Sequence, residues 1–312
     1  MTNHASRFHF ASAPDSWGVL DYPGPSWNQS YETMLDEMAA AGYTGSELGP
    51  YGFFPTDPNV LKPQLDKRKL KLLGSFVPVV LSDPASAAIA VEQIRKVGNL
   101  LAALKAPFLV LADAQSEERN RISGRVPKDG SAGLTAAQWM NVAKVVGEAA
   151  KVASDFGLDL VFHPHVATFV ETPAECESFF DVTARTGVGL CLDTGHCVYG
   201  GGDAVAEADK FKSVLRFVHI KDVDAKVLEA SRRKKLNFEQ AIEKKVFTII
   251  GKGSIDFPAF FRLLAKNNYS GWGVVEQDVT FGATAIPPAE SIAASLKYLQ
   301  GVVKGLDGKR KA

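Results

Sequence analysis

Short apolar runs of strand length alternate with segments of helical spacing along the whole chain. Phe8-His9-Phe10-Ala11 is the first run and leads into the loop Ala13 to Gly18. Tyr31 to Ala41 places Met34, Leu35 and Met38 on one helical face, and Gly42 stops it. Thr44 to Leu48 reads as a second strand, Val60 to Lys69 as a helix, and Leu72 to Leu81 as a third strand. Ala87 to Leu104 is a long amphipathic helix, and Pro107 to Ala112 a fourth strand. The stretch from Asp113 to Gly133 is polar and shows no apolar period. Its length suggests a lid over a binding site. Thr135 caps a helix that runs to about Phe156.

The second half keeps the rhythm. Strands end at His163, Asp193, His219 and Glu276. Helices follow over Pro173 to Thr186, Ala204 to Lys210, Phe257 to Asn267 and Ile286 to Val303. A polar insertion, Val223 to Lys252, separates the seventh strand from its helix, and the charged tail Lys304 to Ala312 is expected to fray. Strict alternation predicts a parallel sheet. Eight units in 312 residues fit a single-domain α/β chain, a (β/α)8 TIM barrel, better than an open doubly wound sheet. No glycine-rich dinucleotide fingerprint follows the first strand.

Barrels of this kind carry their chemistry at the C-terminal ends of the strands. Four of the six histidines fall there, namely His163, His165, His196 and His219, together with Asp193 and Glu276. Such groups at the ends of four buried strands are costly unless they share a partner, and a divalent cation is the simplest one. The expected ligands are His163, Asp193, His219 and Glu276, with His165 as the alternative from the same strand. Imidazole mixed with carboxylate suits manganese, cobalt, zinc or iron better than calcium. Glu276, His196, Lys221, Glu47 and His165 are the candidate catalytic groups, and Trp17, Tyr51 and Phe53 a candidate apolar wall.

Charge is balanced, with 35 basic and 35 acidic residues, which weighs against a nucleic-acid partner. No apolar run reaches the length of a membrane span. Cys176, Cys191 and Cys197 have no framework spacing, and the N-terminus lacks a signal-peptide pattern. A cytoplasmic protein is expected; a homo-oligomer remains open.

Asp193-Thr194-Gly195-His196, then His219-Ile220-Lys221-Asp222, then Gly251-Lys252-Gly253-Ser254-Ile255-Asp256-Phe257, resemble the motifs of the xylose-isomerase-like barrel superfamily. That superfamily includes sugar isomerases, epimerases and inosose dehydratases. Glu47 to Gly52 and His163-Pro164-His165 resemble its inosose dehydratase branch. The resemblance implies a divalent ion at strands five to eight, with manganese or cobalt typical and zinc, magnesium or iron open. It implies Asp193, His219 and Glu276 as ligands and His196 as a substrate contact. One position departs from the epimerases, which carry a glutamate at the end of strand five where this chain has His163.

The expected activity is therefore that of a metal-dependent lyase on a keto-polyol or keto-sugar, through a metal-stabilised enediolate and β-elimination. In this scheme His196 or His165 protonates the leaving oxygen. Lys221 stabilises the enolate or serves as base, and Glu47 binds hydroxyls or acts as a second acid or base. An isomerase or epimerase of the same fold is the alternative. An abasic-site endonuclease is remote, because strands three and four end without the histidines it needs. A non-catalytic sugar-binding subunit is a further reading.

Overall fold

A side-chain period of two, imposed on parallel strands in register, decides what faces the barrel axis. The computed structural model describes residues 7–20, 29–280 and 286–308. His4 and residues 309–312 of the tail lie outside the described residues.

The main sheet is formed by β1 (Phe8–Ser12), β2 (Gly45–Ser46), β3 (Lys71–Leu72), β4 (Phe76–Val79), β5 (Phe108–Asp113), β6 (Asp159–Phe162), β7 (Gly189–Asp193), β8 (Leu215–Ile220) and β11 (Gly271–Val275). Their order is β3-β2-β1-β11-β8-β7-β6-β5-β4, and the pairing is parallel throughout. The two ends of this order, β3 and β4, are successive pieces of one stave. On one side of the gap, Leu73 N donates to Ser46 O and Leu48 N to Gly74 O. On the other, Phe108 N donates to Leu73 O and Val110 N to Ser75 O. Nine pieces thus make eight staves of a closed barrel, and the third expected strand is broken at Leu73-Gly74-Ser75. Gly74 suits the break, since a Cβ there would sit 3.0 Å from Phe108 O.

The lumen is filled by Ala11, Ala13, Leu73, Val110, Val161, Cys191, Phe217 and Val274. Two residues further along four of these strands stand His163, Asp193, His219 and Glu276. The same period that packs the lumen therefore carries these four side chains to one level above it. Helices α1 (Tyr31–Ala41), α2 (Pro58–Lys67), α3 (Ala87–Ala103), α5 (Ala136–Asp155), α6 (Pro173–Thr183), α8 (Ala204–Lys210), α11 (Phe257–Lys266) and α12 (Pro288–Gly308) surround the sheet. The second helix begins earlier than expected, because Asp57 caps it and Pro58 occupies its first turn.

Two segments that read as polar loops are structured. The insertion holds β9 (Asp222–Val223), α9 (Ala225–Arg233), α10 (Phe238–Glu243) and β10 (Phe247–Thr248), the two strands pairing antiparallel. Val223, Leu228, Phe238, Ile242 and Phe247 bury a small second core against Val166 and Tyr199. These apolar residues are too widely spaced to show a period. The insertion is tied back at Asp222, whose carboxylate accepts from Val223 N, Gly251 N, Gly253 N and Ile255 N. A Cβ at Gly253 would lie 2.2 Å from Asp222 Oδ1, which accounts for that glycine.

The other segment, after β5, contains α4 (Glu117–Arg121). Arg119 is fully buried and bonds both carboxylate oxygens of Glu175, at 2.7 and 2.9 Å. Asn120 bonds Glu239 and Phe238 N of the insertion. Glu171 accepts from Gly124 N and Ala167 N. The segment is thus pinned on two sides, and it carries Gln115 to the cleft described below.

Two outcomes test these anchors. Arg119→Ala should cost about 3–5 kcal/mol in urea unfolding, because it strands a buried carboxylate. Burial raises the Glu171 carboxyl to about 7, so it folds more easily protonated than ionised. Its stabilising contribution is complete below the unfolded value near 4.5 and is lost as pH rises through about 7. Glu171→Gln should flatten stability between those pH values; an unchanged profile would assign the slope elsewhere.

Candidate metal centre

Asp193 ends β7 and starts α7 (Thr194–Tyr199), so one side chain serves both elements. Its Oδ1 accepts from Gly195 N at 2.7 Å and His196 N at 2.8 Å, which caps the helix. Its Oδ2 is left to face the barrel axis. Thr194 Oγ1 locks this turn to β8, donating to Lys221 O and accepting from Lys221 N. Gly195 permits the approach, since a Cβ there would lie 2.5 Å from Lys221 Cβ. The turn is therefore a short helix whose first residues each have a local task.

His163, Asp193, His219 and Glu276 are all buried, and each offers one ligand atom within 4.8 Å of the other three. His163 Nε2 stands 3.6 Å from Asp193 Oδ2, and His219 Nδ1 stands 3.1 Å from Glu276 Oε2. Two observations fit a cation here. The Nδ1 atom of His219, on the side of the ring that faces Glu276, is buried without a hydrogen-bond partner. His219 Nε2 pairs with Glu47 Oε1 at 3.0 Å, which orients the ring and leaves Nδ1 toward the centre. Two imidazoles with two carboxylates form a donor set for a first-row divalent metal.

The electrostatics agree. Burial opposes ionisation of Asp193, but Lys221, His196 and His163 overcome it and hold the carboxyl well below its usual range. Burial also opposes ionisation of Glu276, and His219 and Lys221 still bring it to about 2. Both carboxylates are charged at neutral pH. His165 and His196 behave in the opposite way. Burial, then the neighbouring His163, lowers His165 to about 3. Burial, then His165, lowers His196 well below the usual imidazole range. Their rings lie 3.9 Å apart, walled by Phe238 of the insertion at 5.6 and 5.7 Å.

His165 Nδ1 faces Val166 O at 2.7 Å, leaving Nε2 as an acceptor, and His196 Nδ1 accepts from Val166 N. Lys221 is 2% exposed, and its Nζ contacts Glu276, Asp193, Asp278 and Asp15. Burial would lower its pKa, but those carboxylates raise it well above the usual lysine value. This environment favours the charged ammonium, which bears on the expected role of Lys221 beside an enolate more than on its role as a base.

These residues line a cleft of about 560 Å³, counting its open mouth. Asp15 and Asp278 belong to it and were not assigned from the sequence. Burial, then Glu276, raises the Asp15 carboxyl well above its usual range, and it donates to Asp278. The available signal was position: Asp278 lies two past Glu276, and Asp15 lies in the loop after β1. The apolar wall is also different from the one expected. Trp17 is buried and donates to Glu37 at 2.6 Å, while Tyr51 and Phe53 pack against the outer core. Pro14, Val19, Leu20, Pro50 and Phe76 line the cleft instead.

Comparison with known proteins places this geometry in context. The family model described as xylose isomerase-like TIM barrel matches residues 35–302. The inosose dehydratase of Clostridium perfringens (strain 13 / Type A) is 32% identical over 280 residues, covering 88% of this chain and 91% of its own. That of Geobacillus kaustophilus is 30% identical over 279 residues, covering 89% and 90%. Among solved structures, the IOLI protein with a bound zinc atom superposes with a TM-score of 0.70 at 16% identity, covering 95% of this chain and 98% of that one. The D-allulose 3-epimerase of Methylomonas sp. gives 0.68 at 18%, covering 95% and 98%. These two structural likenesses speak for the fold.

Elemental analysis after dialysis tests the centre. The wild type should hold about one divalent ion per chain, and Asp193→Ala almost none while keeping a barrel-like circular dichroism spectrum. Losing the α7 cap should itself cost about 1 kcal/mol. Equal metal content in both proteins would refute the ligand set.

Proposed function

The chain belongs to the xylose isomerase-like TIM-barrel family, and we propose that it is a divalent-metal-dependent carbon–oxygen lyase, a dehydratase of a keto-polyol or keto-sugar of the inosose kind. Manganese or cobalt is the proposed ion. The observation that carries this reading is the four-residue donor group at the mouth of the barrel, in a chain about as similar to inosose dehydratases over most of its length as those alignments record.

An ion held by His163, Asp193, His219 and Glu276 would supply Lewis-acid polarisation of a substrate carbonyl and the adjacent hydroxyl. The remaining steps fall to the side chains of the cleft. His165 is neutral and its Nε2 is free, so it takes the proton from the carbon beside the carbonyl. Asp15 keeps its proton and faces the cleft, so it delivers that proton as the β C–O bond breaks and water leaves. His196, held neutral, positions a substrate hydroxyl rather than acting as a cationic acid. Glu47 orients His219 through its Nε2. Lys221 contributes fixed positive charge beside the developing oxyanion.

His163 favours elimination over epimerisation. The resemblance assigns epimerases a glutamate on this stave as one of two opposed bases, and imidazole here leaves Glu276 without that partner. No helix among the described residues is long and apolar enough to cross a membrane.

Manganese-loaded protein incubated with a keto-inositol in heavy water should yield a product lighter by one water. A product of equal mass and altered stereochemistry, with no dehydrated species, would establish an epimerase instead. His165→Gln should lower kcat by about 10²–10⁴-fold with metal content unchanged. His163→Glu should retain metal and raise deuterium incorporation beside the carbonyl.

A further inference from the structure

Lys221 contacts the oxygens that the proposed ligand set needs. Its Nζ lies 2.6 Å from Glu276 Oε2 and 3.1 Å from Asp193 Oδ2. Glu276 Oε2 is also the oxygen nearest His219 Nδ1, and Asp193 Oδ2 the oxygen nearest His163 Nε2. The other Asp193 oxygen is committed to the α7 cap. Ammonium and divalent ion therefore address one pair of oxygens from neighbouring positions, and two cations so close repel strongly in a water-poor site.

A second pair of carboxyl groups also reaches the ammonium. Asp278 Oδ1 is 3.2 Å from Nζ and Asp15 Oδ2 is 3.6 Å. Neither belongs to the four-residue donor group. The base of Lys221 cannot move, because Thr194 holds its backbone and Gly195 packs on its Cβ. Only the tip is free to shift, and with 2% exposure it has no route to solvent. Its alternatives are Asp193 and Glu276 in one direction of shift and Asp278 in the other.

We propose that Lys221 is the resident counter-ion of the metal centre, neutralising Asp193 and Glu276 in the metal-free protein and withdrawing toward Asp278 when a divalent ion takes their oxygens. The inference rests on the metal-dependent reading above. It explains why a buried lysine sits inside a cluster that also holds two imidazoles: without either cation, desolvated carboxylates would face one another uncompensated. It makes Lys221 a positioning residue that sets how tightly the ion is held and how the empty site survives.

The test uses manganese alone, without substrate, titrated calorimetrically into wild type, Lys221→Met, Asp278→Asn and the double variant, with thermal melts of each metal-free protein. Lys221→Met should bind manganese at least about tenfold more tightly and melt lower when metal-free. Asp278→Asn should bind about tenfold more weakly in the wild-type background and within about threefold of its parent in the Lys221→Met background. Lys221→Gln serves in the same cycle if the methionine variant does not fold without metal. Unchanged or weaker binding by Lys221→Met overturns the inference and makes the lysine a fixed donor that supports the ligands. An Asp278→Asn effect of equal size in both backgrounds also overturns it, since it then reports general charge. A wild type that takes up no manganese overturns the metal reading, and this inference with it.

Discussion

Compensation of buried negative charge at the top of the barrel is the constraint on which the site depends. Asp15, Glu47, Glu276 and Asp278 line one cleft and Asp193 stands beside Lys221 and His163 next to it; all but Asp15 are buried. Lys221, the imidazoles of His163 and His219, and the capping N–H groups of α7 answer this charge in part. A divalent ion would answer the rest. The local motifs follow from this need. Thr194 fixes the backbone of Lys221, Gly195 makes room for its side chain, and Asp193 divides its two oxygens between a helix cap and the centre.

Beside this charged layer stands a neutral one. His165 and His196 lie ring against ring at a tilt of 36°, with Phe238 of the insertion against both and Phe247 against His196. Enclosure opposes the charged form of both rings, which suits them to hydroxyl contacts as neutral groups. The insertion is thus a wall of the site as well as an addition to the fold. Its attachment through Asp222, and that of the α4 segment through Arg119 and Asn120, hold the wall in register with the barrel. Precision of this kind favours an elimination, in which proton removal and departure of the leaving group must be matched in space.

An epimerase shares this barrel with the zinc-bound IOLI protein, so the fold alone does not choose an activity. What bears on the choice is the chemistry of a few strand ends. His163, just past β6, joins the four-residue donor group at the position where the resemblance gives epimerases a glutamate. Burial and Glu276 raise the carboxyl of Asp15 above its usual range, which is why it is the proposed proton donor. A site with one neutral imidazole acceptor and one carboxylic acid is equipped to expel water.

The sequence by itself determined the barrel and the level of its site. Period-two strands ending in His163, Asp193, His219 and Glu276 are local patterns, and in a closed parallel barrel such ends must meet. It did not show the break in the third stave at Gly74, because the flanking pieces together read as one apolar run. It did not show the second core under the insertion, whose residues are sparse in sequence and meet only when α9 and α10 fold over α7. It placed Trp17 in the cleft, whereas an indole N–H that finds Glu37 is drawn into the helix layer. It did not show what surrounds Lys221. Only the tertiary structure brings Asp15 and Asp278, from opposite ends of the chain, within 3.6 and 3.2 Å of its Nζ, because such contacts depend on barrel closure and not on local pattern.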